Sequence, residues 1–291
     1  MAAILQVGQN LAIVALHPRV DDVVRTYLDE IDAHAPGLLE GLYLTGSVAM
    51  GDFQPGRALS RRGPSGASAS DIDFVAVTSR PLTKLDVTAA NRAHAQLARN
   101  RWRASFDGLY LTWSDLPRDP ADVACSAHTH GDQVRTGGQF QANPVVWHEL
   151  AQHGLAMRGP RPETLRIWTD RDTLTAWSRT NLSTYWRRWQ QRSSAPMSRA
   201  GLACLTSWGP TWGVLGVSRL HYTVSTGLIW SKTDGGRYAR EAFDPHWHRL
   251  IDECLRIRRS LPGRSAYRTP LTRRRDALNF IDMVISDVGS P

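Results

Sequence analysis

The sequence predicts an α+β chain in two parts: a small sheet with helices over residues 1–140 and an all-helical bundle over residues 141–291. Three observations predict this. Short apolar runs of strand length occur only in the first half, separated by segments of helical period. From residue 143 onward apolar residues recur three to four apart. The charge also changes sign near the same place, with 14 basic against 16 acidic residues over 1–158 and 21 against 11 over 159–291, which together make the net charge of +8.

Residues 18–34 carry Val20, Val23, Val24, Tyr27, Leu28 and Ile31 at helical spacing, which predicts an amphipathic helix. Gly41-Leu42-Tyr43-Leu44-Thr45 follows as a strand, and Gly46-Ser47 turns it into a helix expected over residues 48–53. Residues 57–70 are rich in Gly, Ala, Ser and Arg without periodicity, the pattern of a flexible loop. Arg61 and Arg62 in it are either contacts for a bound triphosphate or part of a solvated insertion. The next strand opens on Ser70-Asp71-Ile72-Asp73-Phe74-Val75-Ala76-Val77, and residues 83–102 read as a second helix. Residues 108–113 are a third strand, with Asp107 just before it. Beyond a boundary near residues 137–144, helices are expected over residues 144–153, 171–191, 207–226, 244–260 and 273–287.

The chemistry concentrates at two of these junctions. Alternate residues of a strand share a face, so Asp71 and Asp73 project together, and two carboxylates that close need a cation. A helix start beneath Gly46-Ser47 offers unpaired N–H groups to phosphate oxygens, and glycine lets them come near. Metal-binding acids and a phosphate turn, in that order, are what nucleotidyl transfer requires.

Other features exclude more than they suggest. Cys125, Cys204 and Cys254 are odd in number and widely spaced, so neither a disulfide framework nor a zinc site is indicated. His128 and His130 have no further ligand pattern beside them and read as loop histidines. No run of about 18 apolar residues and no signal-peptide pattern is present, which predicts a cytoplasmic protein with no membrane partner. The basic excess is either solvated surface or an attraction for anions, but no nucleic-acid motif accompanies it. Nothing specifies an oligomeric state. Of eleven tryptophans, Trp186, Trp189, Trp208, Trp212 and Trp230 concentrate where a second substrate would bind, with Trp186, Trp208 and Trp212 the candidates for stacking on an acceptor, against the alternative that they fill a helical core.

Gly46-Ser47 with Asp71-x-Asp73 resembles the nucleotidyltransferase fold shared with DNA polymerase β. The stretch from Val214 to Lys232, read as L-x-x-S-R-x-x-Y-x-x-x-T-G-x-I-x-x-K, resembles the C-terminal domain of aminoglycoside adenylyltransferases of the streptomycin/spectinomycin type. The resemblance implies a small mixed sheet in the first domain. It also implies that Arg219 and Lys232 reach the nucleotide phosphates, and that a third carboxylate, usually Glu, stands where this chain has Asp107. Asp107 is then a base for the acceptor hydroxyl or a further metal ligand. The implied reaction uses ATP and two Mg²⁺ held by Asp71, Asp73 and Asp107 to move AMP onto a small hydroxyl-bearing acceptor. An aminoglycoside is the family's default acceptor. However, residues 205–213 hold no acid for a polycation, and compensation would have to come from Asp170, Asp172, Asp234 or Asp244. A less cationic metabolite or antibiotic intermediate, or a protein, therefore stays open as the acceptor.

Overall fold

A computed structural model describes residues 2–7, 10–55, 70–99, 105–124, 127–129, 133–137 and 142–289, with backbone alone for 2–7 and 10–15. Arg61, Arg62, Cys125 and His130 lie outside the described residues, as does most of the expected 57–70 loop. The chain forms two compact units, Met1–Pro55 with Ser70–Asp170, and a second that includes Arg171–Pro291.

The first unit opens with an antiparallel hairpin of β1 (Ala2–Val7) and β2 (Asn10–Ala15). Helix α1 (Pro18–His34) begins with proline at its first position, where a missing N–H costs nothing, and the His17 ring accepts from the Arg19 N–H. All six apolar residues read from its sequence are buried. There follow β3 (Gly41–Thr45), α2 (Gly46–Ala49), β4 (Ile72–Thr78), α3 (Lys84–Arg99), β5 (Phe106–Thr112), β6 (Ala127–Thr129), β7 (Val134–Thr136), α4 (Pro144–His153) and β8 (Leu155–Arg158). The main sheet has the order β7-β6-β5-β4-β3-β8. Among the described strands only β4 and β5 are parallel, and α3 supplies the crossover that a parallel pair needs.

Both faces of this sheet are covered. Leu42, Leu44, Ile72, Phe74, Ala76, Phe106 and Tyr110 join α1 and α3 in one core. Tyr43, Val75, Val77, Leu109 and Leu111 join Trp147 and Leu150 of α4 in another. The first core contains a polar cluster: the Tyr27 and Tyr110 hydroxyls lie 2.6 Å apart, and His94 Nε2 is 3.4 Å from the Tyr110 hydroxyl. Burial pushes the His94 pKa down to about 4.

The structure differs from the sequence reading at three places in this unit. The helix after Gly46-Ser47 is a single turn, Gly46–Ala49, instead of 48–53, and Gly51 in the left-handed region (φ +67°) closes the turn that follows. Strand β5 starts at Phe106, so Asp107 lies within the ladder and not before it. The change of compact unit falls between Asp170 and Arg171, where the sequence reading draws it at 140/141. The reason is β8, which pairs with β3 and so draws residues 144–158 to the sheet.

In the second unit, α5 (Arg171–Asn181) continues through a π-helical segment, Leu182–Trp186, into α6 (Arg187–Ser194). Then come α7 (Arg199–Ala203), α8 (Trp208–Thr226), α9 (Lys232–Ala242), α10 (His248–Arg258) and α11 (Pro270–Gly289). Helix α8 is central and buried over most of its length. Its glycines receive rings: a Cβ at Gly216 would lie 2.5 Å from the Trp186 ring, and one at Gly213 would lie 3.0 Å from Trp189. Cys204 and Cys254 are buried free thiols, and burial pushes the Cys254 thiol up to about 12. Helix α9 is not visible in the apolar periodicity, because Lys232-Thr233-Asp234-Gly235-Gly236 is polar and glycine-rich. Among the described residues no helix is long and apolar enough to cross a membrane.

Candidate active site

Backbone pairing converges on Asp73. Thr45 of β3 stands opposite it in the antiparallel ladder, and Asp107 of β5 stands beside it in the parallel one. Paired residues on strands about 4.8 Å apart share a face. Asp73 and Asp107 therefore project from the sheet face that also bears Val75, Val77, Leu109 and Leu111, away from α1 and α3. Asp71 precedes β4 by one residue. It is exposed, whereas Asp73 and Asp107 are half-buried, so the acids are graded from water toward the core.

Gly46 is fitted to Asp73. Its φ of +58° lies in the left-handed region, and a Cβ there would fall 2.1 Å from Asp73 Oδ2. Only glycine avoids both the strain and the collision. The Gly-Ser turn and the second acid of the pair, read as separate signals in the sequence, are thus one structure. The ladder also brings in Ser105. Its carbonyl accepts from the Ile72 N–H at 2.8 Å, while its hydroxyl donates to Asp107 Oδ2 at 2.8 Å. Sequence reasoning missed Ser105; its place two residues before Asp107, on the same face of an extended chain, was the available signal.

Among the described residues no three His, Cys, Asp or Glu side chains already stand grouped as metal ligands. The backbone register supplies the row, and the donors in it are carboxylate oxygens. Such hard donors suit Mg²⁺ and not a thiolate- or imidazole-seeking ion.

In the second unit, Arg219 lies half-buried on α8 and Lys232 opens α9. A Cβ at Gly235 would lie 2.8 Å from the Arg219 Cα, and one at Gly236 would lie 2.7 Å from the Leu215 and Leu255 side chains. The two glycines let α9 press on α8 at Arg219. Lys232, three residues before Gly235, is on the same face of α9. The helix start is capped by Ser231, whose Oγ accepts from the Asp234 N–H at 3.1 Å and donates to Asp234 Oδ2 at 2.7 Å. The two cations assigned from the sequence motif thus belong to one helix crossing, and Gly235 and Gly236 are the residues that sequence reasoning left out.

The aromatic candidates separate by exposure. Trp186 is buried against Gly216 and Trp212, with ring centroids 4.4 Å apart in the latter pair, and is a core residue. Trp208 is 41% exposed and stacks on the partly buried Trp212 at 5.6 Å and 17°. Two of the acids named as compensation are engaged locally: Asp234 with Arg237 at 2.8 Å and Asp244 with His246 at 2.7 Å.

Residues 196–283 match the family model described as the aminoglycoside adenylyltransferase C-terminal domain. The fold is similar to that of spectinomycin adenyltransferase AAD(9) from Enterococcus faecialis, solved with ATP and spectinomycin. The TM-score is 0.59 at 13% sequence identity, over 90% of this chain and 99% of that one. Residues 196–283 are thus similar to an adenylyltransferase domain, and the likeness of the whole chain to AAD(9) is one of fold. No curated protein matches the sequence. The family match spans Trp208, Trp212, Arg219 and Lys232, while the acid row lies outside it and is covered by the likeness of fold. Where the resemblance drawn from the sequence implies Glu, the chain has Asp107, one methylene shorter.

Proposed function

We propose that this enzyme transfers AMP from ATP to a hydroxyl of a small, aminoglycoside-like acceptor and releases pyrophosphate. The observation that carries the reading is the pairing of Asp73 with Asp107, with Gly46 fitted against the Asp73 carboxylate. ATP and spectinomycin in the AAD(9) structure support the two substrate classes.

Asp71, Asp73 and Asp107 would hold two Mg²⁺ ions, which supply charge neutralisation to the triphosphate when bound. The Gly46 and Ser47 backbone, with the Ser47 hydroxyl, receives phosphate oxygens. Arg219 and Lys232 offset their charge and the charge that grows on the leaving pyrophosphate. Asp107 accepts the proton of the acceptor hydroxyl, held in orientation by Ser105. The acceptor oxygen bonds to the α-phosphorus as the bond to the bridging α,β-oxygen breaks, and pyrophosphate departs. The exposed Trp208, stacked on Trp212, offers the acceptor a flat apolar surface.

A second reading of the acceptor has its own support. Residues 205–213 contain no acid, and Asp234 and Asp244 are already paired. This favours a less cationic hydroxyl compound over a polycation. Pyrophosphate release with ATP and Mg²⁺ should be followed against aminoglycosides, aminocyclitols and neutral sugars. A response confined to neutral compounds would select the second reading, and labelled AMP found only on protein would overturn both.

A further inference from the structure

We propose that Trp230, stacked on Tyr222, is the platform for the purine base of the nucleotide; this rests on the reading that Arg219 and Lys232 take its phosphates. The two rings are stacked face to face, with centroids 3.8 Å apart and planes 11° from parallel. Tyr222 is buried, whereas Trp230 is 38% exposed. One face of the indole is therefore covered by Tyr222, and its exposure belongs to the opposite face and edges.

The segment that carries Trp230 is held at both ends. Gly227 closes α8 in the left-handed conformation (φ +73°), and the Thr223 hydroxyl donates to the Leu228 carbonyl at 3.0 Å. The Leu228 N–H donates to Thr226 Oγ1 at 3.2 Å, Ile229 is buried, and Ser231 caps α9. An exposed aromatic on a segment tied in this way is preorganised, so stacking on it costs little ordering entropy. Tyr222 edges onto Tyr238 at 5.2 Å, and the Tyr238 hydroxyl meets His221 Nδ1 at 2.9 Å, which braces the platform from behind.

Its position matches a nucleotide. Tyr222 lies three residues after Arg219, on the same face of α8. Trp230 lies two residues before Lys232, whose helix rests on Arg219 through Gly235. An electron-rich plane beside two cations is complementary to a flat base joined to a polyphosphate. A purine overlaps the indole more fully than a pyrimidine does, so the platform favours ATP and GTP over CTP and UTP.

The test compares binding of ATP, CTP and inorganic tripolyphosphate to the intact enzyme and to three variants. Trp230→Ala should weaken ATP about tenfold, weaken CTP less, and leave tripolyphosphate within twofold; KM for ATP rises while kcat at saturation holds. Trp230→Phe should restore most of the loss. Equal weakening of ATP and tripolyphosphate would mean that Trp230 only supports the fold. Unchanged ATP binding with a raised acceptor KM would assign the platform to the acceptor. Either result overturns the proposal. Lys232→Ala separates the underlying reading. If it leaves tripolyphosphate binding unchanged while Trp230→Ala still weakens ATP, the base platform stands and the phosphate role of Lys232 falls.

Discussion

The two units position their candidate site residues by different means. In the sheet unit, Thr45, Asp73 and Asp107 are aligned by ladder hydrogen bonds of the backbone, so the row survives changes in the side chains it carries. In the helical unit, α9 presses on α8 at Arg219 because Gly235 and Gly236 have no side chains, so the placing of Lys232 relative to Arg219 depends on residues with no chemistry of their own. A sheet site should thus fail chemically without unfolding, and a helix-crossing site should fail through packing.

The largest expected effect breaks the first half of that comparison. Asp73→Asn should lower pyrophosphate release by several kcal/mol of barrier, roughly a thousandfold, with an unfolding midpoint no lower than that of the parent. Loss of stability alongside activity would show that the acid row is part of the scaffold. Gly46→Ala should cost both, because a Cβ strains the left-handed backbone by about 1–2 kcal/mol and strikes the Asp73 carboxylate. Chemical denaturation and turnover measured on one preparation would check this.

The sheet unit should also be the acid-labile one. His94 is held neutral by burial, with a pKa of about 4. Its unfolded-state value is higher, near 6.5, so the unfolded chain binds the proton first as pH falls. Stability should therefore be full above about pH 6.5 and decline toward pH 4 by on the order of 3 kcal/mol. His94→Phe should flatten the slope in that window, and an unaltered slope in urea titrations would assign it elsewhere.

Two smaller effects sharpen the contrast. Gly235→Ala should push α9 off α8 at a cost of about 1–3 kcal/mol and raise KM for ATP more than it lowers kcat. A variant with parent-like stability and KM would show that the crossing tolerates a side chain. Ser105→Ala removes a single hydrogen bond to Asp107, worth about 1 kcal/mol or roughly fivefold in turnover. Its signature is a changed pH–rate profile with an unchanged KM for ATP.

Much of this protein can be read from local pattern. A period of 3.6 identifies α1, which buries one face, and short apolar runs identify β3 and β4, which are buried on both faces. The pair Asp71 and Asp73, the Gly46-Ser47 turn and the Ser-Arg…Thr-Gly…Lys pattern are equally local. What depends on residues far apart in the chain was decided by tertiary structure alone. The register that sets Asp107 beside Asp73 joins strands separated by α3, and β8 enters the sheet by pairing with β3. Helix α9 is polar and glycine-rich by sequence and becomes intelligible only against α8, where the missing side chains permit contact with Arg219. Composition likewise treats every tryptophan alike. Packing separates them, burying Trp186 on Gly216 while Trp208 and Trp230 keep open rings above a stacked partner.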